Sequence, residues 1–307
     1  MTLRLLPFLF AAGILLAACD TADHVSAADE LSPTSITSDA AEVVANALGV
    51  APGGALNDLA EAALASQLLG DAHRGHEATN PGCSFERAWD EDIQRWIRSI
   101  ECERGEADGP FYALFARTHH FGFFDAAGEP VQRPGQARTM SVDLVSGEGI
   151  RRTPRMSHTL LDIGASFLIT DVQEDFVTVN GDYARAGTET MRARAGERTI
   201  TYELSFEALD VVGPRHAAAG PPPTMPPAGA PLMGPLHRRW AHAVSGTIAG
   251  EVSGLITMVT PEGTREREFS RSFVITFGDG ERGTARIRFS DTGETFVANL
   301  ETGDVRR

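Results

Sequence analysis

The chain of 307 residues predicts a mainly β fold: an antiparallel sheet, sandwich or incompletely closed barrel of about ten to twelve strands, preceded by a short helical hairpin. Three observations predict it. From Cys83 onward, segments rich in Val, Ile, Phe, Tyr and Thr alternate with glycine-containing turn signals, the texture of half-buried strands. Between residues 38 and 70, two apolar stretches are each opened by a capping residue and closed by glycine. Cys83 and Cys102, the only cysteines after Cys19, bracket a segment that a β-hairpin can close on itself.

The first segment reads "MTLRLLPFLFAAGILLAA", with one positive side chain, Arg4, ahead of an apolar run from Leu5 to Ala18. That run is too short for a transmembrane helix, which needs about 20 residues, but it suits a secretory leader. Leu16-Ala17-Ala18-Cys19 resembles the lipobox of bacterial lipoprotein precursors. The resemblance covers the first 20 residues and implies a signal peptide over 1–18, cleavage before Cys19, and acylation of Cys19. Two or three acyl chains would then hold the protein stably at the cell envelope, where a single chain holds only marginally. An ordinary leader cut at an Ala-x-Ala-like site, with Cys19 incidental, is the alternative. Asp20 resembles the inner-membrane retention signal of enterobacterial lipoproteins, a rule that does not carry across bacterial groups, so inner and outer membrane both stay open.

Residues 19–37 follow as an anchored acidic tether, since "DTADHVSAADELSPTSIT" is polar and without period. Its ends would lie roughly 20 to 25 Å apart as a flexible chain. Residues 38–82 read as a helical hairpin and loop. Ser38 caps "DAAEVVANAL" with Gly49 as its stop, and Asn57 caps "DLAEAALASQLL" with Gly70 as its stop. Helices this short are marginal alone, so they need a larger partner. Val43, Val44, Ala47 and Leu48, with Leu59, Ala63 and Leu64, form the expected buried side.

An exported chain meets an oxidising compartment, where Cys83 and Cys102 pair by default. The intervening "SFERAWDEDIQRWIRSIE" also has a helical pattern, but a helix would hold the two cysteines about 28 Å apart. A disulfide needs Cα atoms about 4.4 to 6.8 Å apart, so helix and disulfide exclude each other. Folding about Asp92-Ile93 instead sets Cys83 opposite Cys102, Phe85 opposite Ile100 and Trp89 opposite Trp96 on one face. The flaw is Arg87 opposite Arg98, which requires a carboxylate between them.

Residues 83–307 make the β-domain. Turn signals are read at Gly147-Glu148-Gly149, Asn180-Gly181, Asp279-Gly280 and Thr292-Gly293. In the last hairpin, a two-residue loop at Thr292-Gly293 pairs Phe289 with Phe296, Ile287 with Ala298 and Ala285 with Leu300, leaving Arg286 and Arg288 outward. Gly213 to Pro235 carries eight prolines, which fits an extended surface loop between strands.

Composition narrows the chemistry. All 27 basic residues are arginine, so Schiff-base, Walker A and Ser-Lys mechanisms are excluded. The net charge of −15, with ten acids against Arg74 alone between Asp20 and Gly82, argues against nucleic acid as a partner. No cofactor motif appears. "LLDIGASFLI" and "FSDTGETF" resemble the Asp-Thr-Gly signature of aspartic proteases, with Ile163 in place of the hydroxyl residue in the first. The resemblance would make Asp162 and Asp291 an acidic pair sharing a proton, although a hairpin tip is the wrong place for one. His73 and His76 with Asp71 or Glu77 match no common metal spacing, adjacent His119 and His120 face opposite sides of a strand, and His237 and His242 have no acid at ligand spacing.

These features together predict a non-catalytic envelope lipoprotein whose β-domain binds a partner or serves structurally. An open-barrel carrier of an apolar ligand is the second reading, and an aspartic-protease-like hydrolase the third. The partners expected are the membrane, through acyl chains on Cys19, and an envelope protein or apolar ligand.

Overall fold

The computed structural model describes residues 33–49, 54–68, 82–193, 196–215 and 235–307. Twelve strands follow one another as an antiparallel meander, each paired with its sequence neighbours and the first unpaired with the last. They are β1 (Cys83–Asp90), β2 (Arg95–Gly105), β3 (Tyr112–Phe124), β4 (Thr139–Arg152), β5 (Met156–Thr170) and β6 (Phe176–Ala193). The second half comprises β7 (Gly196–Pro214), β8 (Ser245–Thr260), β9 (Gly263–Phe277), β10 (Thr284–Phe289), β11 (Thr295–Asn299) and β12 (Val305–Arg306). Among the described residues three α-helices accompany them: α1 (Pro33–Leu48), α2 (Ala55–Leu68) and α3 (Pro235–Ala243).

Strict alternation builds the sheet. In β7, Ile200, Tyr202, Leu204, Phe206 and Ala208 are buried while Thr201, Glu203, Ser205 and Glu207 face water. One face is therefore core and the other solvent, as period-two patterning dictates.

The core face closes around the first two helices. Ile36 to Leu48 of α1 are buried except for Asn46, which is exposed, and Ser38 and Glu42, which are half-buried. From Ala55 to Ala63 of α2, every residue but Glu61 is buried. Between them the helices touch β6, β7, β8, β9, β11 and β12, and pair with Arg98 on β2 and Arg117 on β3. In a flat sheet β2 and β11 would lie about 43 Å apart at about 4.8 Å per step, several helix diameters. Contact with both ends requires the sheet to roll around the hairpin. Bulges at Thr118/His119, Leu160/Asp162, Val179/Gly181 and Leu209/Val212 supply the extra twist that rolling needs.

The β1–β2 hairpin has the predicted register, with Cys83 opposite Cys102, Phe85 opposite Ile100 and Trp89 opposite Trp96. The disulfide is formed, and the two tryptophan rings meet edge-on with centroids 5.8 Å apart. Asp90 Oδ1 accepts the N–H groups of Asp92 and Ile93 and so fixes the turn.

Several expectations are corrected. Helix α1 begins at Pro33 and not after Ser38, so residues 33–37 belong to the helix and not to the tether; proline suits a first helical turn because its missing N–H has no intrahelical partner there. Gly49 does follow the last helical residue, and its N–H reaches Ala45 O. In α2 the Asn57 N–H already bonds Gly54 O, so Asn57 lies within the first turn and is not its cap. Of the expected buried side, Val43, Val44, Ala47, Leu48, Leu59 and Ala63 are buried. The side chain of Leu64, Gly70, and the whole of 1–32, with Cys19, lie outside the described residues.

Neither Gly147-Glu148-Gly149 nor Asn180-Gly181 is a turn. Strand β4 runs through the first and β6 through the second, where Gly181 (φ 140°) sits at a bulge. The β10–β11 register is offset by two from expectation: Ile287 faces Phe296 and Ala285 faces Ala298. The closing pair is Phe289 with Glu294, leaving a four-residue loop, Ser290 to Gly293, in which Gly293 alone has positive φ (73°). A two-residue loop would have forced Thr292, a β-branched residue, into that region. An even offset preserves faces, so Phe289 and Phe296 still meet in the core with ring centroids 5.9 Å apart, and Arg286 and Arg288 point outward.

The proline-rich segment is bounded by β7, which continues to Pro214, and by α3, which starts at Pro235; residues 216–234 lie outside the description. Helix α3 was not foreseen. Its Trp240 is fully buried against Gly213, where a Cβ would lie 2.4 Å from the indole.

Candidate functional site

The interior of the rolled sheet holds the densest polar cluster among the described residues, and strand parity places it. Arg117 and His119 are two apart on β3 and share its inward face, with Arg98 of β2 directly opposite His119. Gly147 of β4 lies opposite Arg117, and a Cβ there would come within 2.8 Å of Arg117 Cδ and Nη1. The glycine that resembled a turn signal is therefore what admits the guanidinium. Arg117 Nη1 donates to Ala116 O at 2.7 Å and Glu148 O at 2.9 Å, and its Cζ lies 4.4 Å from the centroid of the Phe115 ring.

Helix α2 answers with carboxylates three residues apart, on one helical face. Glu61 Oε2 accepts from Arg98 Nη1 at 2.7 Å, so the arginine that stands opposite Arg87 has a carboxylate of its own. Asp58 Oδ1 stands 3.6 Å from Arg117 Nε, too far for a hydrogen bond, and both groups are inaccessible to water. Burial pushes the Asp58 carboxyl up, against the downward pull of Arg117 and Arg185. Among the described residues, Arg117 Nε and Nη2 and both ring nitrogens of His119 have no hydrogen-bond partner, and the Asp58 oxygens, with Asn57 beside them, meet no donor in good geometry. Each such buried group costs about 1 to 3 kcal/mol. Burial, with Arg98 adding repulsion, lowers His119 to about 3, so its imidazole is neutral.

A second group lies deeper along the sheet. Arg185 of β6, Tyr202 of β7 and His158 of β5 converge, with Arg185 Nη2 and the Tyr202 hydroxyl each 3.0 Å from His158 Nε2. Arg185 also donates to the Tyr202 oxygen at 2.5 Å. A guanidinium only donates, so Nε2 must accept, which places the imidazole proton on Nδ1. Burial and Arg185 hold His158 at about 3, and burial raises the Tyr202 hydroxyl. Gly187 makes room: a Cβ there would meet the Tyr202 hydroxyl at 2.8 Å. The three side chains thus hold one another inside the sheet.

At the mouth of the roll, Arg198 of β7 pairs with Asp39 and, at 3.0 Å, with Glu42 of α1, while Asn46 Nδ2 donates to Glu189 Oε2 at 3.4 Å. Burial, with Glu42 beside it, raises the Glu189 carboxyl.

The structure does not bring the predicted acidic pair together. Asp162 is exposed beside the β5 bulge, where its Oδ1 accepts the Ile163 N–H. Asp291 is exposed in the β10–β11 loop and pairs with Arg271 at 3.1 Å. His119 is buried and His120 is not, as their opposite parity requires. His242 on α3 meets Glu301 at 2.8 Å, a contact 59 residues apart in sequence. Asp71, His73, His76 and Glu77 lie outside the described residues, as does the side chain of His237. Among the described residues no group of three or more His, Cys, Asp or Glu is placed to hold a metal, and no helix is long and apolar enough to cross a membrane.

The outer face carries a shallow furrow of about 460 Å³ over β5 to β8, lined by Gly164, Ser166, Asp182, Ala184, Ser205 and Glu207 among others. Ser166 Oγ there donates to Asp143 Oδ1 at 2.8 Å, a contact with no histidine between hydroxyl and acid.

Fold and interior define an open, rolled antiparallel meander plugged by its own helical hairpin. No family model, curated protein or solved structure matches the chain.

Proposed function

We propose that this is a bacterial envelope lipoprotein, anchored through acyl chains on Cys19, whose β-domain works by binding or as a structural element and not by catalysis. The observation that carries the proposal is the use of the interior polar groups. Arginines and carboxylates there join the hairpin to the sheet, and His158, Tyr202 and Arg185 lock one another. The outward face of β7, with Thr201, Glu203, Ser205 and Glu207, supports attachment through lipid and not through the sheet, since a membrane barrel turns an apolar band outward. Growth with a labelled fatty-acid analogue tests the anchor: the parent should take up label and Cys19→Ala should not, and label retained by the variant refutes the assignment. A peptide library offered to the parent protein from acidic to neutral pH tests the absence of catalysis; cleavage that Asp162→Asn or Asp291→Asn abolishes would establish the hydrolase instead.

One observation favours the carrier as a second reading. The concave face is mostly apolar between its buried arginines, with Phe121, Val142, Phe167, Leu204, Phe206 and Ile256 among its lining, and what fills it is a helical pair outside the sheet's own connectivity.

A further inference from the structure

The hairpin differs from an ordinary core element in how its charges are distributed. Each charged group it sends to the sheet is a carboxylate: Asp39 and Glu42 to Arg198, Asp58 to Arg117, Glu61 to Arg98. Apart from Thr37 and Asn57, the rest of its buried surface is small and aliphatic, from Ala40, Ala41, Val43, Val44 and Leu48 to Leu56, Leu59 and Ala60. The sheet presents the complement, arginines set in an apolar concave face.

The two partners do not depend on each other equally. Arg117 is held by the sheet's own carbonyls, Ala116 O and Glu148 O, and Arg185 by Tyr202 and His158. At the contact with the hairpin the fit is looser: Asp58 Oδ1 and Arg117 Nε stand 3.6 Å apart, and neither makes a hydrogen bond among the described residues. The arginine positions belong to the sheet, and the hairpin is an imperfect occupant of them. Its chemistry, carboxylates borne on aliphatic surface, is that of a fatty acid.

We propose that the concave face is a binding site for a single-chain anionic amphiphile with a carboxylate head, and that α1–α2 occupies it as an internal stand-in which the ligand displaces. The alkyl chain would replace the aliphatic helix surface, and the head would take the place of Glu42 and Asp39 at Arg198, whose side chain keeps 20% of its surface open to solvent. The proposal rests on the carrier reading and is independent of the anchor.

The test uses the full chain carrying Cys19→Ala, so that no acyl chain of its own can enter, with oleate, oleyl alcohol and acetate as probes. Hydrogen exchange is followed by mass spectrometry. Oleate should accelerate exchange of the α1 and α2 amides by about tenfold or more while β6 and β7 keep their protection, and acetate should have no effect. In Arg198→Gln the preference for oleate over oleyl alcohol should fall by about tenfold, the value of one charge-assisted contact. Because Arg198 is at the mouth, this variant avoids the folding risk of changing Arg117. Oleate bound with hairpin protection unchanged overturns the displacement and leaves the carrier reading standing, whereas no binding of either oleate or oleyl alcohol overturns the proposal and the carrier reading together. Displacement by oleyl alcohol as readily as by oleate overturns the anionic head and leaves the carrier standing.

Discussion

The Asp58–Arg117 pair gives the sharpest test of how the hairpin is seated. The perturbation is a cycle of Asp58→Ala, Arg117→Met and the double variant. At the observed 3.6 Å, an effective dielectric constant of about 20 gives an attraction of about 4 to 5 kcal/mol, which must offset a desolvation penalty of several kcal/mol per ion. The pair as a whole is therefore near neutral, while its halves are not equivalent. Asp58→Ala leaves a guanidinium that cannot give up its proton with carbonyl partners but without its counter-charge, and should cost about 3 to 5 kcal/mol. Arg117→Met leaves a carboxyl whose pKa burial already raises, so it can take up a proton and should cost about 1 to 3 kcal/mol. The double variant should cost at least about 2 kcal/mol less than the sum of the two. A carboxyl with a folded pKa above its unfolded value contributes most stability below the unfolded value and loses it as pH rises through the folded one. Arg117→Met should therefore be more stable at pH 5 than at pH 8, by more than the parent is. Urea unfolding at both pH values, followed by tryptophan fluorescence, reads all of these. Additive costs, or Arg117→Met as damaging as Asp58→Ala at pH 5, would refute the reasoning.

Three further outcomes are expected. Gly213→Ala should destabilise by about 1 to 3 kcal/mol through overpacking against Trp240, seen as a lowered Tm, and Trp240→Phe should relieve part of the loss. His119 and His158, both held near 3, should show no imidazole titration by NMR between pH 5 and 8; since unfolding releases them to ordinary values near 6.5, their contribution to stability should fade as pH drops below that value. In the β10–β11 loop, Gly293→Ala should cost about 1 kcal/mol and Thr292→Gly should also destabilise; a gain from Thr292→Gly would indicate the two-residue loop after all.

The sequence carried the fold further than the site. The β1–β2 register was legible because a covalent constraint and a two-residue period agree on one solution among Cys83, Phe85, Trp89 and their partners. The β10–β11 faces were legible for the same reason, but the offset of two was not, because it leaves every inward residue inward and only the backbone preference of Thr292 distinguishes the loops. Glycines misled where their role is spatial: Gly147 admits Arg117 and Gly181 shapes a bulge, and neither function differs in sequence from a turn. The interior cluster was only partly visible. Arg98 stood out as a like-charge conflict with Arg87, but Arg117, His158, Arg185 and Tyr202 could be flagged only by extending strand parity through long uninterrupted strands. Asp58 and Glu61 resembled solvated helix residues, because no local signal shows that a sheet will later close over both sides of a short helix.

The meander has a consequence for biosynthesis. Each strand pairs with the one made just before it, so the sheet can lengthen stepwise as the chain emerges. The hairpin emerges ahead of every strand, yet α1 rests against β11 and β12, the last to appear. Strands β6 to β9 can cover part of the hairpin first, but the surface of α1 that faces β11 and β12 must wait for them. Losing β11 and β12 would bare one side of a helix made before any strand, so damage near residue 300 should be felt near residue 40.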